Sequence, residues 1–411
     1  MTSLSNVASV TSTIGLYLTS RSSGPFGPSC RSFRLRLQRT VLGPPCGTPS
    51  HLPASPRHYG CRPMVGSTVP SVTGIDADAV TAWLRDHDPT ARPPFRFELI
   101  AGGHSNLTYK VTDVRDTAYA LRRPPLGHVL ATAHDMGREY KIVAALGPTK
   151  VPVAPLIGLC TDDAVNGSPF YVMRFVEGVV LRNRHVAHTW PVAVRSAASN
   201  ALIDTLADIH EVDVDAIGLG DLGRKDGYIA RQLKRWRMQF HDSKTREIPA
   251  IDEVHELLVA HIPDQQGSGI VHGDYRLDNC IFDEHGAVLA VLDWELCTLG
   301  DVLADLAQLL VYWGEATDDQ FALDSPPSAE AGFSTRAELV ARYAARSRRD
   351  LSQLDYYMAF ASWKVACILE GVYSRYVAGA MGDRAAGQDI STFIRRVDHL
   401  ASRAVSIART L

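Results

Sequence analysis

Residues 270–282 read IVHGDYRLDNCIF, and after a short turn residues 288–295 read VLAVLDWE. A His-Gly-Asp triplet ends at Asp274, an asparagine follows five residues later at Asn279, and Asp293 closes an apolar run. Transfer of a phosphoryl group needs a carboxylate that orients the acceptor hydroxyl, and magnesium prefers carboxylate and amide oxygens. The spacing therefore favours a phosphotransferase site. The alternative is a strand-turn-strand unit in which the aspartate and the asparagine only cap turns.

Short strands precede this unit, and helices surround it. Alternating apolar and polar runs bounded by turn residues predict antiparallel strands at 95–101, 107–114, 118–123 and 170–176. Helical spacing of apolar residues predicts helices at 76–87, about 131–146, 226–242, 351–378 and 386–408. The sequence thus predicts an α+β fold with two lobes, a small antiparallel-sheet lobe at 76–177 and a larger, mainly helical lobe at 178–411.

The first 75 residues differ in composition from the rest of the chain. They contain seven arginines and no acidic residue, so all 45 acids of the 411-residue chain follow them, against 35 of its 42 basic residues. A segment rich in Ser, Pro, Gly and Arg predicts a disordered leader. Two interpretations remain open. The leader is a mitochondrial transit peptide, or it is upstream sequence ahead of a true start at Met64.

Charge, hydropathy and cysteine spacing indicate which partners and which compartment to expect. The body that follows the leader carries about ten excess negative charges (45 acids less 35 bases), which gives no reason to expect nucleic-acid binding. No run of 18 consecutive apolar residues occurs, so no membrane span is expected. The four cysteines of the body are widely spaced without a metal-binding pattern, which favours free thiols in a reducing compartment. We expect a cytoplasmic protein, or a mitochondrial one if the leader is a transit peptide.

The quoted motifs resemble those of the aminoglycoside phosphotransferase and choline kinase-like superfamily, whose fold is similar to that of protein kinases. Over residues 95–400 the chain most resembles the kinase-like domain that some animal proteins carry ahead of an acyl-CoA dehydrogenase. The resemblance implies that Asp274 is the catalytic base and that Asn279 and Asp293 bind Mg²⁺. The motifs differ from those of protein kinases, which carry arginine at the position of Gly273 and Asp-Phe-Gly in place of Asp-Trp-Glu. Small-molecule kinases of the superfamily have the form seen here, so the resemblance implies a small-molecule substrate.

The same resemblance assigns the nucleotide-binding residues of the first lobe. Residues 102–109 (GGHSNLTY) lie between two predicted strands, where small residues let backbone amides approach ATP phosphates. Ser105 and Asn106 are the best phosphate contacts there. Arg122 falls where the superfamily carries a strand lysine over the phosphates. Strand alternation leaves open whether it or Arg123 points inward, because a bulge would reverse the answer.

Two further elements complete the expected ATP site. Glu139 lies on the next predicted helix and would pair with the strand arginine, although a solvated helix face is an equally plain explanation for such a glutamate. The run FYVMRFVEG at 170–178 resembles the strand and hinge that bind adenine through main-chain atoms, here those of Arg174 and Val176.

The resemblance to the superfamily implies an acceptor site between the catalytic loop and the C-terminal helices. Candidate substrate residues there are Arg231, Arg276, Trp363 and Tyr373. Arg231, Lys234 and Arg235 share one predicted helix face and could meet an anionic acceptor such as a coenzyme A thioester, or could only form a solvated face.

We therefore expect an ATP- and Mg²⁺-dependent kinase that acts on the hydroxyl of a small molecule. The resemblance to the dehydrogenase-fused proteins suggests a hydroxyacyl-CoA or a related lipid-derived acceptor. The alternatives are an aminoglycoside- or choline-type kinase and a non-catalytic nucleotide-binding protein. Acyl-CoA dehydrogenase activity is not expected, because the resemblance covers only the kinase-like part of the fusion proteins.

Overall fold

The computed structural model of the chain describes residues 72–101, 106–126, 135–319, 322–380 and 389–411. Almost all of the leader, together with the glycine-rich segment at 102–105, lies outside the described residues. The predicted disorder of the leader therefore stays a prediction.

The first lobe is built on one antiparallel sheet of five strands in the order β1-β2-β3-β5-β4. The strands are β1 (Arg96–Ala101), β2 (Leu107–Thr112), β3 (Ala118–Arg123), β4 (Leu156–Cys160) and β5 (Phe170–Arg174). Four of them match the alternating runs of the sequence. The fourth strand was not predicted, because Leu156–Cys160 has no polar residue to mark an alternation.

Two helices flank this sheet. Helix α1 (Ala77–His87) begins at Asp76, whose side chain accepts a hydrogen bond from the amide of Ala79, and it buries Val80 and Leu84 in the sheet's core. Helix α2 (Met136–Leu146) begins in the same way at Asp135. A four-residue helix, α3 (Asp163–Asn166), lies between strands β4 and β5 in the sequence.

The second lobe is mainly helical, and the long helix α10 packs against four other helices at its centre. Its helices are α4 (Arg184–His188), α5 (Val192–His210), α6 (Tyr228–Ser243), α7 (Pro249–Ala260), α8 (Leu303–Tyr312), α9 (Arg336–Arg346), α10 (Leu354–Val377) and α11 (Ser391–Ala408). Two strand pairs interrupt them: β6 (Gly269–Val271) with β9 (Thr298–Gly300), and β7 (Cys280–Phe282) with β8 (Val288–Val291). The predicted two-lobed α+β fold is confirmed.

The lobes meet where the chain leaves the first sheet. Val179 and Phe282 exchange two backbone hydrogen bonds, of 2.8 and 2.9 Å, which fastens the connecting segment to strand β7. A Cβ atom on Gly178 would lie 2.6 Å from the carbonyl oxygen of Phe282, so only glycine allows this approach. The connection thus holds the sheet directly above the hairpin that carries the quoted motif.

None of the helices in the described part of the chain is long and apolar enough to cross a membrane.

Candidate active site

The loop from His272 to Asn279 joins strand β6 to strand β7 and carries Asp274. Gly273 has a φ of +88°, and a Cβ there would lie 3.0 Å from the Cβ of Leu296. The backbone conformation and the close packing both require glycine at this position. The turn places the Asp274 side chain at the mouth of the loop, where the residue is 4% exposed.

Helix α8 holds this loop from behind. The Asp305 carboxylate accepts hydrogen bonds from the amides of His272 (2.7 Å) and Gly273 (3.0 Å), and the Gln308 side-chain amide donates to the Gly273 carbonyl (2.7 Å). His272 Nε2 lies 2.9 Å from the Leu292 carbonyl oxygen, which joins the loop to the end of strand β8. Both sides of the Gly273 peptide are therefore fixed.

Asn279 and Arg276 bracket the Asp274 carboxylate. The Asn279 side-chain amide donates to the Asp274 carbonyl (2.8 Å) and to its Oδ2 (3.1 Å), so Asn279 has its Oδ1 left to face a cation. Arg276 Nε lies 3.3 Å from Asp274 Oδ2 and 3.2 Å from Asp278 Oδ1. Burial raises the pKa of Asp274, and the Arg276 charge opposes that rise. Burial also raises the pKa of Asp278, to about 6.

Asp293 follows strand β8 with a φ of +65° and a ψ of +59°. Aspartate is one of the few residues that adopts this left-handed conformation at modest cost. The turn directs its carboxylate across the cleft, where Oδ1 accepts a hydrogen bond from Arg122 Nη2 at 2.5 Å.

Arg122 is the centre of a buried charge cluster. Its Nε donates to Glu139 Oε2 at 2.8 Å, and its Nη2 also lies 3.8 Å from Glu295 Oε2. Arg123 points to the opposite face of the sheet and donates to the carbonyls of Gly74 and Asn166. Of the two arginines, Arg122 is thus the one that faces the cleft.

The cluster is richer in carboxylates than the sequence suggested. Asn106 donates to Glu139 Oε1 (2.5 Å) and to Glu295 Oε2 (3.3 Å), and the Tyr171 hydroxyl donates to Glu139 Oε2 (3.1 Å). Burial raises the pKa of Glu139 against the opposing effect of Arg122. Burial works to lower the pKa of Arg122, but the surrounding carboxylates raise it well above its usual range. Glu295 was not predicted as a site residue, although its signal was present in the Asp-Trp-Glu sequence.

The donor set at the cleft fits a magnesium ion held together with a nucleotide. Asn279 offers an amide oxygen and Asp293 a carboxylate, and Mg²⁺ usually takes one or two protein carboxylates and completes its shell with phosphate and water oxygens. Within the described ranges, no three His, Cys, Asp or Glu side chains gather closely enough to form a metal site of their own. The residues therefore suit a metal that arrives with phosphates.

The remaining nucleotide-binding candidates are spread along the first lobe. Ser105 lies outside the described residues. The Arg174 amide donates to the Pro155 carbonyl at 2.7 Å, and its guanidinium lies 2.8 Å from Oδ2 of Asp88 at the end of helix α1, so both groups have partners within the first lobe. Val176 is half-buried in the segment that connects the lobes.

The structure brings only one of the four acceptor candidates to the catalytic loop. That residue is Arg276, described above. Arg231 donates to the carbonyls of Arg224 and Asp226 at the start of its own helix. Trp363 is fully buried and donates its indole N–H to the Ile251 carbonyl, so it presents no surface to a substrate. Tyr373 is half-buried near the end of helix α10.

The chain has a five-stranded lobe above a helical lobe, and Asp274, Asn279 and Asp293 lie at the cleft between the two. This arrangement defines a protein of the kinase-like class. The phosphotransferase enzyme family matches residues 96–350, and the chain belongs to this family.

Two curated relatives and one solved structure illustrate the match. The chain is 36% identical over 290 residues to mouse acyl-CoA dehydrogenase family member 10, covering 70% of this chain and 27% of that protein. It is 35% identical over 314 residues to rat family member 11, covering 74% of this chain and 40% of that protein. The chain thus spans less than half the length of these relatives. A Ralstonia eutropha JMP134 protein assigned as an aminoglycoside phosphotransferase has a crystal structure that superposes with a TM-score of 0.70 at 34% identity, covering 82% of this chain and 98% of that one.

Proposed function

We propose that the protein transfers the γ-phosphoryl group of ATP to a hydroxyl of a small molecule. The observation that carries this proposal is the position of Asp274. Its carboxylate is buried, fixed by Asn279 at 3.1 Å and by Arg276 at 3.3 Å, and held on a loop that helix α8 clamps. A protein that only binds a nucleotide needs no such carboxylate, whereas a kinase needs one to orient the acceptor hydroxyl.

The residues divide the work of the reaction. Asp274 accepts the hydrogen bond of the acceptor hydroxyl and points the hydroxyl oxygen at the γ-phosphorus. As the new oxygen–phosphorus bond forms, the bond from the γ-phosphorus to the β–γ bridging oxygen breaks, ADP leaves, and Asp274 takes up the hydroxyl proton. Arg122, held by Glu139 at 2.8 Å, presents a guanidinium to the phosphates. Asn279 and Asp293 would hold Mg²⁺, which supplies charge neutralisation on the phosphate oxygens. Ser105, Asn106 and the main chain of Arg174 and Val176 remain the proposed contacts to the rest of the nucleotide.

The proposal includes the chemical class of the acceptor. The curated relatives carry names of acyl-CoA dehydrogenases, so we propose a hydroxyacyl-CoA or a related lipid-derived hydroxyl compound as acceptor. An aminoglycoside- or choline-type acceptor is the alternative, in view of the similarity to the Ralstonia protein. The dehydrogenase activity itself is not proposed for this chain, which spans 27% and 40% of the relatives.

A metabolite screen tests the proposed function. Wild type and Asp274→Asn are incubated with labelled ATP, magnesium and fractionated small-molecule extract, and phosphorylated products are identified by mass. We expect one class of hydroxyl compound to be labelled by wild type and not by the variant. Equal labelling by both proteins, or none in any fraction, would contradict the proposal.

A further inference from the structure

A buried lysine is joined to the catalytic loop through the side chain of Gln308. Lys364, in the middle of helix α10, is 7% exposed, and its ammonium donates to Gln308 Oε1 at 2.5 Å. The same Gln308 holds the Gly273 carbonyl, one residue before Asp274. No carboxylate of the described residues lies within 4 Å of the Lys364 ammonium. Among the described residues, its charge is therefore buried beside the site without a counter-ion in contact.

A second cation contacts the same indole ring as Lys364, and its charge acts on that lysine. The guanidinium of Arg235, on helix α6, lies 5.5 Å from the centre of the Trp236 ring, and the Lys364 ammonium lies 5.8 Å from the same centre. Arg235 is half-buried and its Nε is buried without a hydrogen-bond partner. It too has no carboxylate within ion-pair distance in the described part of the chain. The two cations repel each other.

The nearby carboxylates have other partners. Asp274 is bound by Arg276 and Asn279, and Asp305 accepts from two backbone amides of the loop. Burial lowers the pKa of Lys364 to about 8, although the more distant charges of Asp305 and Asp274 oppose that change. Two partly desolvated cations without counter-ions are costly in a folded protein. This cost is offset if an anionic group of the substrate binds beside the two cations.

We propose that Lys364 and Arg235 form an anion-binding subsite next to Asp274, so that the acceptor carries a carboxylate or phosphate group in addition to its reacting hydroxyl. This inference rests on the proposed function and narrows its substrate class. It favours an acidic acceptor over a cationic aminoglycoside or choline. Arg231 and Lys234 have no part in the subsite, because Arg231 binds backbone carbonyls and Lys234 is exposed.

Matched pairs of probes test the subsite. Each pair shares a hydroxyl and differs in charge: 3-hydroxybutyrate with 1,3-butanediol, and glycerol 3-phosphate with glycerol. Binding to the full-length protein is measured by calorimetry in the presence of magnesium and a non-hydrolysable ATP analogue. We expect wild type to bind at least one anionic member about tenfold more tightly than its neutral partner, the amount typical of one charged hydrogen bond. The two pairs distinguish a carboxylate from a phosphate.

Variants identify the residues responsible. Lys364→Met and Arg235→Met should each reduce the anion preference about tenfold. Lys244→Met is the matched control, because that lysine pairs with Glu247 on the surface, and it should keep the preference. Gln308→Met tests whether Gln308 positions the catalytic loop or takes part in binding the anion. It should lower the turnover of all acceptors and keep the preference for the anion.

Several results would overturn the inference. These are equal binding of both members in each pair, no binding of any probe, tighter binding of kanamycin than of every anionic probe, and an unchanged preference in Lys364→Met. A loss of binding in Lys364→Met that affects charged and neutral members equally would also count against it, since that result indicates a structural role only. The anion preference of wild type and of the Lys364 and Arg235 variants is measured by binding alone, so a failure of this inference remains distinguishable from a failure of the kinase proposal, which would appear as absent turnover.

Discussion

Arg122 Nη2 lies 2.5 Å from Asp293 Oδ1, so a guanidinium carried by the sheet of the first lobe is bonded to a carboxylate of the second. The same guanidinium is held from its other side by Glu139. The Arg122–Asp293 pair therefore spans the cleft at the point where we place the phosphates and the metal. A bound magnesium nucleotide would have to share Asp293 with Arg122, which couples nucleotide binding to the contact between the lobes.

Replacing Arg122 tests this coupling. In Arg122→Met, the carboxylates of Glu139, Asp293 and Glu295 lose the guanidinium that they share. Breaking a buried ion pair in this way typically costs about 3–5 kcal/mol of stability. We expect a lower free energy of unfolding in denaturant and a higher KM for ATP. Arg122→Lys should recover part of the stability and less of the affinity, because an ammonium cannot make the same forked contacts.

The neighbouring arginine provides the control. Arg123→Met removes a guanidinium of the same strand that faces away from the cleft. In the described part of the chain, this guanidinium bonds only backbone carbonyls. The substitution should lower stability and leave the KM for ATP unchanged. A rise in KM that is equal in the two variants would show that the effect comes from damage to the sheet.

The site residues that are easiest to predict from the sequence are those that lie near one another along the chain. Asp274 and Asn279 lie on the loop that leads into strand β7, and Asp293 follows its partner strand β8, so one short hairpin brings the three residues together. Whether Arg122 or Arg123 faces the cleft depends on an unbroken strand register, which the β2–β3 pairing shows. Lys364 meets Gln308 only through the packing of two helices 56 positions apart in the chain. No local sequence pattern predicts such a contact. Glu295 differs, because it directly follows Asp293 and Trp294 in the quoted motif, and only its contact with Asn106 depends on the tertiary structure.

Asp274→Asn should separate chemistry from binding. The substitution keeps the shape of the side chain and removes its ability to accept a proton. We expect the rate of phosphoryl transfer to fall by roughly 10²–10⁴, the usual contribution of a positioned base. ATP should still stabilise the variant against heat, because Asn279 and Asp293 are intact. A variant that transfers phosphate at the wild-type rate would exclude Asp274 as the base.

The pH profile of kcat/KM should show the raised pKa of Asp274. A base is active only when deprotonated, so activity is present above its pKa and is lost as the pH falls through it. Burial raises that pKa, and Arg276 opposes the rise because its charge favours the carboxylate. In Arg276→Met, the acid limb should therefore move to higher pH. Arg342→Met, which removes a surface partner of Asp204, should leave the limb in place. A shift to lower pH in Arg276→Met would contradict the assignment.

Asp293→Asn should weaken the response to magnesium. Asparagine tolerates the left-handed backbone of Asp293, so the change removes one negative charge without straining the turn. In wild type, ATP at about 100 times its Kd should add about 2.7 kcal/mol of stability. We expect magnesium to contribute much of this in wild type and little in the variant, measured as the shift in Tm with and without EDTA. An identical effect of EDTA on both proteins would exclude Asp293 as a ligand.

Gly273→Ala tests whether the catalytic loop depends on close packing as well as on backbone conformation. A positive φ alone costs alanine roughly 1–2 kcal/mol. At Gly273 the new Cβ would also lie 3.0 Å from Leu296 Cβ and 3.1 Å from its carbonyl oxygen. Gly267→Ala is the matched control, because its φ is +83° and no atom lies within 4 Å of the added Cβ. We expect a larger loss of stability and a strong loss of kcat in Gly273→Ala, and only the backbone cost with normal kcat in Gly267→Ala. Equal losses in the two variants would mean that the contact with Leu296 does not set the position of Asp274.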